Sequence, residues 1–191
     1  MSGVRIDALS ISYDGKTALK DFSYDFADGS FTSVLAPSGF GKTSLINAIM
    51  GLIPYNGSIS FSEPPMFAAV FQEDRLCGGI TALRNVMLTA NPCCSKEDIL
   101  NAFAAVGLDG CAGKRACLLS GGMKRRVAIM RAVFSAHNLL ILDEPFKGLD
   151  ESSKLRTMAF VKEKTASDTV IMITHDVGEA EYFDSDILKL Y

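Results

Sequence analysis

Hydrophobic and polar residues alternate along much of the first third of the chain, which is the pattern of β-strands with one buried face. The predicted strands are VRIDALSIS (4–12), FSYDF (22–26), the more apolar run SFTSVLA (30–36), GSISF (57–61) and MFAAVF (66–71). Between the third and fourth strands, a helix is predicted from about Lys42 to Met50, with Gly51 as its stop.

From about residue 73 to residue 118 the pattern changes from strands to helices. Apolar residues in TALRNVML (81–88) and KEDILNAFAAVG (96–107) recur at the spacing of one helix face. Ser95 and Asp98 are placed as a capping box that opens the second helix, and the final glycine of that segment closes it. The segment 73–118 is therefore expected to form a small helical lobe.

The last part of the chain alternates between helices and apolar strands. Its predicted elements are a helix that begins near Ser120, the strand NLLIL (138–142), a helix over about 152–165, the strand TVIMIT (169–174) and a helix after His175. Alternation of this kind around apolar strands predicts an α/β fold with a mainly parallel sheet that is covered on both faces.

The predicted helix near Ser120 begins with residues that disfavour a helix. In LLSGGMKRRV two glycines lower helix stability, and Lys124, Arg125 and Arg126 lie near the end that already carries the positive pole of the helix dipole. One explanation is that an anion binds at this end, where the basic side chains would strengthen the attraction. The alternative is that some of them face solvent or acidic neighbours.

Composition narrows the class of protein. The chain has 191 residues, which suits one domain, and 48% hydrophobic with 21% charged residues is typical of a soluble globular protein. A net charge of −3 gives no reason to expect nucleic acid as a partner. Five cysteines without paired metal-ligand spacing favour reduced thiols. The start of the chain is too polar for a signal peptide, and no apolar run reaches about 18 residues. We therefore expect the protein to be soluble, or to meet a membrane only through a partner.

The stretch LAPSGFGKTS lies at a strand-to-helix junction, the context that a phosphate-binding loop requires. Gly39 and Gly41 allow backbone N–H groups to converge on phosphate oxygens. Lys42 is expected to reach the β- and γ-phosphates, and the Thr43 hydroxyl to bind Mg²⁺. Ala36 replaces the leading glycine of the usual pattern. The alternative is a glycine-rich turn before a helix, but lysine and threonine both fall in register.

The stretch LLILDEP supplies a second candidate half of a site. Asp143 and Glu144 come at the carboxyl end of an apolar strand, where ligands of parallel sheets bind. Asp143 fits a residue that holds Mg²⁺ directly or through water, and Glu144 fits a residue that orients or deprotonates an attacking water. Such a pair is often a solvated strand end, but a phosphate loop in the same chain favours the site.

Together these motifs resemble the ATP-binding subunit of an ATP-binding cassette (ABC) transporter, over nearly the whole length and in the right order. The matching positions are the adenine-stacking Tyr13; the Walker A residues Ala36, Pro37, Ser38, Gly39, Phe40, Gly41, Lys42, Thr43 and Ser44; Gln72 of the Q-loop; the LSGG signature at 119–122; the Walker B strand and catalytic glutamate at 139–144; the D-loop KGLD at 147–150, which includes Asp150; and the switch histidine His175.

The resemblance implies a single ATPase domain over 1–191 that binds ATP and Mg²⁺. Residues 1–72 and 119–191 would form a RecA-like P-loop core with a small antiparallel β subdomain, and 73–118 a helical subdomain. Glu144, His175 and Gln72 would be catalytic, and Thr43, Gln72 and Asp143 would hold the metal ion.

The resemblance also offers an answer to the poor helix start. Members of the family form head-to-tail dimers in which the signature helix of one chain meets ATP bound mainly by the other. Ser120, Gly121 and Gly122 would then face the partner's γ-phosphate. The usual glutamine after LSGG is Met123 here, which cannot donate a hydrogen bond.

The sequences of several motifs are most similar to those of importers of nitrate, sulfonate, taurine and similar small solutes. This implies a homodimer or pseudo-symmetric dimer of ATPase subunits, integral membrane permease subunits, a solute-binding protein, and a place at the cytoplasmic face of the cell membrane. Two alternatives remain open, a regulatory or degenerate nucleotide-binding module and a soluble ABC ATPase of DNA repair or translation. The second usually has coiled-coil insertions or tandem cassettes, and neither is visible in this chain.

Overall fold

The structure is a computed structural model that describes residues 2–13, 16–36 and 41–190. Its strands in these ranges are β1 (Ser2–Tyr13), β2 (Lys16–Ala27), β3 (Phe31–Leu35), β4 (Asn56–Phe61), β5 (Phe67–Val70), β6 (Leu139–Asp143), β7 (Thr169–Thr174) and β8 (Asp186–Lys189). Its α-helices are α1 (Lys42–Ile49), α2 (Ala82–Met87), α3 (Lys96–Ala105), α4 (Gly121–Phe134), α5 (Glu151–Lys164) and α6 (Val177–Tyr182).

A parallel sheet with the strand order β5-β6-β7-β3-β8 forms the centre of the molecule. Strands β6 and β7 are buried at every position, as their continuous apolar sequences predict. Successive residues of β6 enter different hydrophobic clusters: Leu140 and Leu142 belong to one, Leu139 and Ile141 to the other. The sheet is therefore covered on both faces, and the predicted α/β architecture is confirmed.

The smaller sheet is antiparallel, with the order β2-β1-β4. Its apolar residues, such as Ile6 and Phe26, share a hydrophobic cluster with Leu45 and Ile46 of α1 and with Ile141 of the parallel sheet. Helix α1 is thereby held against both sheets, which fixes the direction in which its first turn points.

The segment between β5 and α4 packs against the other face. Helix α2 contacts α4, and α3 contacts both α2 and α5. The predicted capping box is confirmed: the Ser95 hydroxyl accepts the Asp98 N–H at 3.1 Å, and the Asp98 carboxylate accepts the Ser95 N–H at 3.0 Å. None of the helices in the described ranges has the length and apolar character that a membrane crossing requires.

Strand β8 was not predicted from the sequence. It has four residues, of which Asp186 and Lys189 are charged, and it lies at the edge of the parallel sheet beside β3. Because edge strands are short and partly exposed, they lack the apolar run that identifies β6 and β7. Its place in the sheet depends on pairing with a strand about 150 residues earlier in the chain.

Candidate functional site

The carboxyl ends of four parallel strands meet at one edge of the central sheet. Ala36 follows β3, Gln72 lies two residues after β5, Asp143 ends β6, and His175 follows β7. Because all of these strands run in the same direction, residues from four distant parts of the sequence are brought to the same edge. Ligands of open α/β sheets bind at this edge.

The first turn of α1 opens at this edge. Gly41 precedes the helix with a φ of 77°, and a Cβ atom there would lie 2.5 Å from the Ala18 carbonyl oxygen, so only glycine fits. The Lys42 side chain is buried, and its ammonium donates a hydrogen bond to the Ala36 carbonyl. The remaining predicted loop residues lie outside the described residues, and they are Pro37, Ser38, Gly39 and Phe40.

A cavity of about 360 Å³ unites the two predicted halves of the site. Its lining residues are Tyr13, Ala18, Gly41, Lys42, Thr43, Ser44, Gln72 and Glu144. Tyr13 has a relative exposure of 45%, so its ring is available at the wall of the cavity. The volume lies within the range of small-molecule sites. The structure thus places the predicted adenine, phosphate and Walker B positions around one space.

Asp143 has the features of a metal ligand. It is 2% exposed, and its Oδ1 atom has no hydrogen-bond partner among the residues that the structure describes. Burial and the neighbouring Glu144 carboxylate raise its pKa, while the charges of Arg125 and Lys42 and a side-chain hydrogen bond from Gln72 oppose that rise. A buried polar atom without a partner is costly, so this oxygen fits a ligand that the chain alone does not supply.

The oxygen donors around this edge fit Mg²⁺ bound together with phosphates. Thr43 and Gln72 line the cavity and supply a hydroxyl and an amide oxygen, which are hard ligands. The described part of the chain contains no group of three or more histidine, cysteine or acidic side chains that could hold a metal by themselves. Mg²⁺ keeps several waters and is bound through one or two carboxylates beside substrate phosphates, a role that the Asp143 carboxylate fits.

Glu144 has an unusual backbone conformation with a φ of 46°. Its N–H donates to the Ile173 carbonyl at 2.9 Å, so the strained turn is tied to β7. Its Oε2 atom accepts a hydrogen bond from Lys147 Nζ at 2.6 Å, and Oε1 lies 3.9 Å from His175 Nδ1. The hydrogen bond from Lys147 lowers the pKa of Glu144, although partial burial acts in the opposite direction. The carboxylate is therefore held in its ionised form.

The family model for ABC transporters matches residues 19–147, which is more than half of the chain. The chain belongs to the ABC transporter family. The match includes the start of α1, Gln72 and the end of β6, which are the elements that surround the cavity.

Individual relatives and solved structures agree with this. Aliphatic sulfonates import ATP-binding protein SsuB 1 of Pseudomonas savastanoi pv. phaseolicola is 33% identical over 193 residues, covering 100% of this chain and 80% of that protein. SsuB 3 of Paraburkholderia xenovorans is 36% identical over 180 residues, covering 93% of this chain and 72% of the relative.

The dimeric structure of MJ0796, a bacterial ABC transporter cassette, has 25% identity and a TM-score of 0.84, covering 98% of this chain and 94% of that one. A post-hydrolysis dimer of MJ0796 bound to ADP and Pi has a TM-score of 0.83 and 25% identity, with the same coverage. The chain is therefore an ATP-binding subunit of the ABC family with ATPase activity, as the sequence predicted.

The ABC signature lies apart from the start of α1, at the first turn of α4. Ser120 is the N-cap, and its hydroxyl accepts the Met123 N–H at 3.3 Å. A Cβ atom at Gly121 would meet nothing within 4 Å, so this backbone is open to an approaching group. Gly121 and Gly122 line a second cavity of about 390 Å³, which shares Gln72 and Glu144 with the first cavity. Contact with a nucleotide stays a prediction for the signature.

The alternative for the basic residues of this helix, that some of them face acidic neighbours, is confirmed for Arg125, whose guanidinium lies 3.4 Å from Asp74 Oδ1. Arg126 instead donates hydrogen bonds to backbone carbonyls. Both are buried. Arg126 donates to the carbonyls of Val106 and Gly107 at 2.8 and 3.1 Å, where α3 ends. Carbonyls at the end of a helix lack partners within it, and a buried guanidinium can satisfy several of them.

Arg125 connects the two chain segments that carry Gln72 and Glu144. Its guanidinium donates to the Phe71 carbonyl on one side, and to the carbonyls of Asp143, Glu144 and Pro145 at 2.8, 2.7 and 2.9 Å on the other. Sequence reasoning missed this role, because the acceptors come from separate loops. Lys147 was also missed, although its position three residues after Glu144 is visible in EPFK and could have indicated a local ion pair.

Asp150 is exposed at the start of α5. Its carboxylate accepts the Ser153 N–H at 3.0 Å and therefore caps the helix. Hydrogen bonds from Ser153 lower the pKa of Asp150. The structure thus shows a capping role, and the predicted contact of Asp150 with a nucleotide stays a prediction.

Proposed function

We propose that this subunit powers an importer of small solutes, with sulfonates as the first class to test. The observation that carries the proposal is the cavity in which Lys42, Thr43, Gln72 and Glu144 converge at the carboxyl edge of the sheet. Relatives at 33–36% identity are named as aliphatic sulfonates import proteins, which favours import over the regulatory and soluble alternatives.

The geometry suggests a division of work among the residues around the nucleotide. Lys42 and the N–H groups at the start of α1, together with the loop from Ala36, bind the phosphates, and Tyr13 stacks on the base. Thr43, Gln72 and Asp143 would hold Mg²⁺, which would neutralise phosphate charge.

Hydrolysis needs a water activated beside the γ-phosphate. Glu144 accepts a proton from that water as its oxygen bonds to phosphorus, and the bond to the β–γ bridging oxygen breaks to give ADP and phosphate. His175 lies 3.9 Å from Glu144, where its ring can contact the γ-phosphate. These assignments place both residues at the reacting end of the nucleotide.

A second copy of the subunit, or a related one, completes each site. The open backbone of Gly121, the neighbouring Gly122 and the hydroxyl of Ser120 would meet the partner's γ-phosphate. Asp150, the N-cap of α5, would contact the nucleotide from the same subunit as the signature. Residues 73–118 act as a helical subdomain that passes the motion of closure to permease subunits at the cytoplasmic face of the membrane. A solute-binding protein delivers the solute to that complex.

The test is the mass in solution of Glu144→Gln with Mg-free ATP. We expect a monomer without nucleotide and a dimer with it, because binding continues when turnover stops. The matched control is Glu144→Gln combined with Lys42→Ala, which should remain monomeric at the same ATP concentration. A nucleotide-bound monomer would contradict the proposal that the signature completes a partner's site in the isolated subunit.

A further inference from the structure

The backbone of Glu144 is fixed from both sides of its turn. Its N–H donates to the Ile173 carbonyl at 2.9 Å, and its carbonyl accepts hydrogen bonds from the Lys147 N–H at 3.2 Å and from Arg125 at 2.7 Å. With the backbone held, the position of the carboxylate depends on its side-chain torsions alone. Whatever contacts the carboxylate therefore determines where its oxygens point.

Lys147 makes that contact. Across the described ranges, its ammonium is the only group that donates a hydrogen bond to the Glu144 carboxylate, with 2.6 Å between Nζ and Oε2. The remaining oxygen, Oε1, faces His175. Since Oε2 is occupied, Oε1 is the oxygen that is available to a water beside the γ-phosphate.

The shielding of Glu144 makes the contact stronger than an ion pair in which both side chains are exposed. The Lys147 side chain is 63% exposed, but the Glu144 side chain is only 10% exposed. Exposed pairs contribute little because water screens both charges, whereas here one partner is largely shielded. The pair also lies within a four-residue turn, so it forms without a second subunit.

The negative charges near Glu144 also favour a role for the Lys147 ammonium in holding the carboxylate. Glu144 follows Asp143 directly and lines a cavity that, on the proposed function, holds phosphates. Repulsion from these anions disfavours a carboxylate that points into the cavity, and the charges of Lys147 and Lys42 oppose this repulsion. The ammonium of Lys147 offsets this repulsion and lines the cavity shared with Gly121 and Gly122.

We propose that Lys147 is a positioning residue that holds the Glu144 carboxylate with Oε1 directed towards the attacking water. The inference rests on the proposed function, in which Glu144 acts on that water. Small displacements of a reacting group reduce the rate strongly, so releasing the carboxylate lowers kcat. Contacts of the nucleotide with the start of α1 are unchanged, and KM is therefore preserved.

The main test compares steady-state ATP hydrolysis of Lys147→Gln and Lys147→Arg with the wild-type protein. We expect Lys147→Gln to lower kcat about tenfold with KM within about twofold. Lys147→Arg retains the cation and should restore most of the rate. The matched control is Lys162→Gln, which removes another lysine paired at 2.6 Å, with Asp184, and should leave both constants unchanged. A normal or raised kcat in Lys147→Gln would overturn the inference.

Two further measurements separate this inference from the proposed function. In the nucleotide-free protein, Glu144→Gln should shift the NMR signal of the Lys147 ammonium, and an unchanged signal would show that the ion pair does not form. In the Glu144→Gln background, adding Lys147→Gln should not reduce the residual rate further, and a further reduction would contradict action through Glu144. If the wild-type protein fails to hydrolyse ATP, or Glu144→Gln keeps its rate, the proposed function fails first.

Discussion

The parallel sheet has an amino edge, where its strands begin, and a carboxyl edge, where they end. The polar groups at these two edges differ in whether they have hydrogen-bond partners within the chain. At the amino edge, where the strands begin, the Thr169 hydroxyl donates to Asp28 Oδ1 at 3.1 Å and accepts the Gly29 N–H at 2.9 Å. Asn138 accepts the Met66 N–H at 2.8 Å and donates to the Pro64 carbonyl at 3.0 Å. The side chains of Thr169 and Asn138 therefore find their hydrogen-bond partners within the chain.

The carboxyl edge, where the strands end, shows the opposite. Asp143 keeps a buried oxygen without a partner in the described part of the protein, and Glu144 has a strained backbone. Natural proteins give up stability where binding or catalysis requires it. The difference between the edges shows that polar groups without hydrogen-bond partners, rather than polar groups as such, distinguish the candidate site.

The cavities at the two edges differ in the same way. The amino-edge cavity, which Asp28, Asn138 and Thr169 help to line, measures about 60 Å³. The nucleotide cavity at the carboxyl edge measures about 360 Å³. The smaller volume suits a few waters and the larger one part of a nucleotide. Changes at the carboxyl edge should therefore alter binding, and changes at the amino edge should alter stability.

The largest expected effect is on nucleotide affinity in Lys42→Ala. A hydrogen bond between charged groups contributes about 1.5–3 kcal/mol, so losing the ammonium should weaken ATP binding by about tenfold to about 150-fold. Titration calorimetry with Mg-free ATP measures this directly. Lys96→Ala, which removes an exposed lysine from α3, is the control. An affinity within about threefold of the wild type would mean that the start of α1 does not bind the phosphates.

The difference between the edges also marks what the sequence could predict. The glycine–lysine–threonine run, the capping box and the apolar strands β6 and β7 are local patterns, and each follows from the properties of adjacent residues. The meeting of separate motifs at one edge followed from the rule that parallel strands end together. These features account for most of the fold and for the members of the candidate site.

Other features depend on contacts between distant segments and carry no local signal. Asp74 is the acidic neighbour that was expected as one alternative for Arg125, but the hydrogen bonds of Arg125 to carbonyls from two separate segments were not predicted. Strand β8 was missed because its short, charged sequence becomes a strand only beside β3. The Asp143 oxygen without a hydrogen-bond partner could not be predicted either, because it depends on which groups from distant segments lie near it.

The second prediction concerns Asp143→Asn, which should stabilise the nucleotide-free protein. Burial and the charge of Glu144 raise the pKa of Asp143 in the folded state, so its ionised form at neutral pH costs stability. Removing the charge should raise Tm by about 2–4 °C, equivalent to about 1 kcal/mol, while hydrolysis should need a higher Mg²⁺ concentration because one metal ligand is weakened.

The amino edge supplies the comparison for that measurement. Asp28→Asn removes a carboxylate whose oxygen accepts a hydrogen bond from Thr169, and its Tm should not rise. A lower Tm in Asp143→Asn would contradict the conclusion that the carboxyl edge is less favourable for the folded protein than the amino edge.

The third prediction is a loss of stability without loss of function in Thr169→Val. The substitution leaves the Gly29 N–H and the Asp28 carboxylate without their shared partner. We expect the free energy of unfolding to fall by about 1 kcal/mol in urea titrations. The kcat and KM of the folded protein should stay at wild-type values, and a change in either would show that the amino edge influences the site.

The smallest effect should be a pH dependence of stability from His137, beside the amino edge. Its Nδ1 lies 2.8 Å from the Ser135 carbonyl, and its Nε2 lies 3.3 Å from Asp168 Oδ2. Both partners are acceptors, so only the doubly protonated ring can donate to both. Burial lowers the pKa of His137, but the hydrogen bonds to Asp168 and Ser135 and the charge of Asp168 outweigh burial and raise it overall.

The sign of the dependence follows from that raised pKa. The unfolded histidine has a pKa of about 6.5, so the contribution to stability is complete below that pH and is lost as the pH rises through the higher pKa of the folded state. The Tm difference between the wild type and His137→Gln should therefore shrink from about pH 6 towards pH 9. Asp168→Asn removes the charged acceptor and should flatten the profile in the same way. A difference that grows with pH would mean that the neutral ring is the form this edge stabilises.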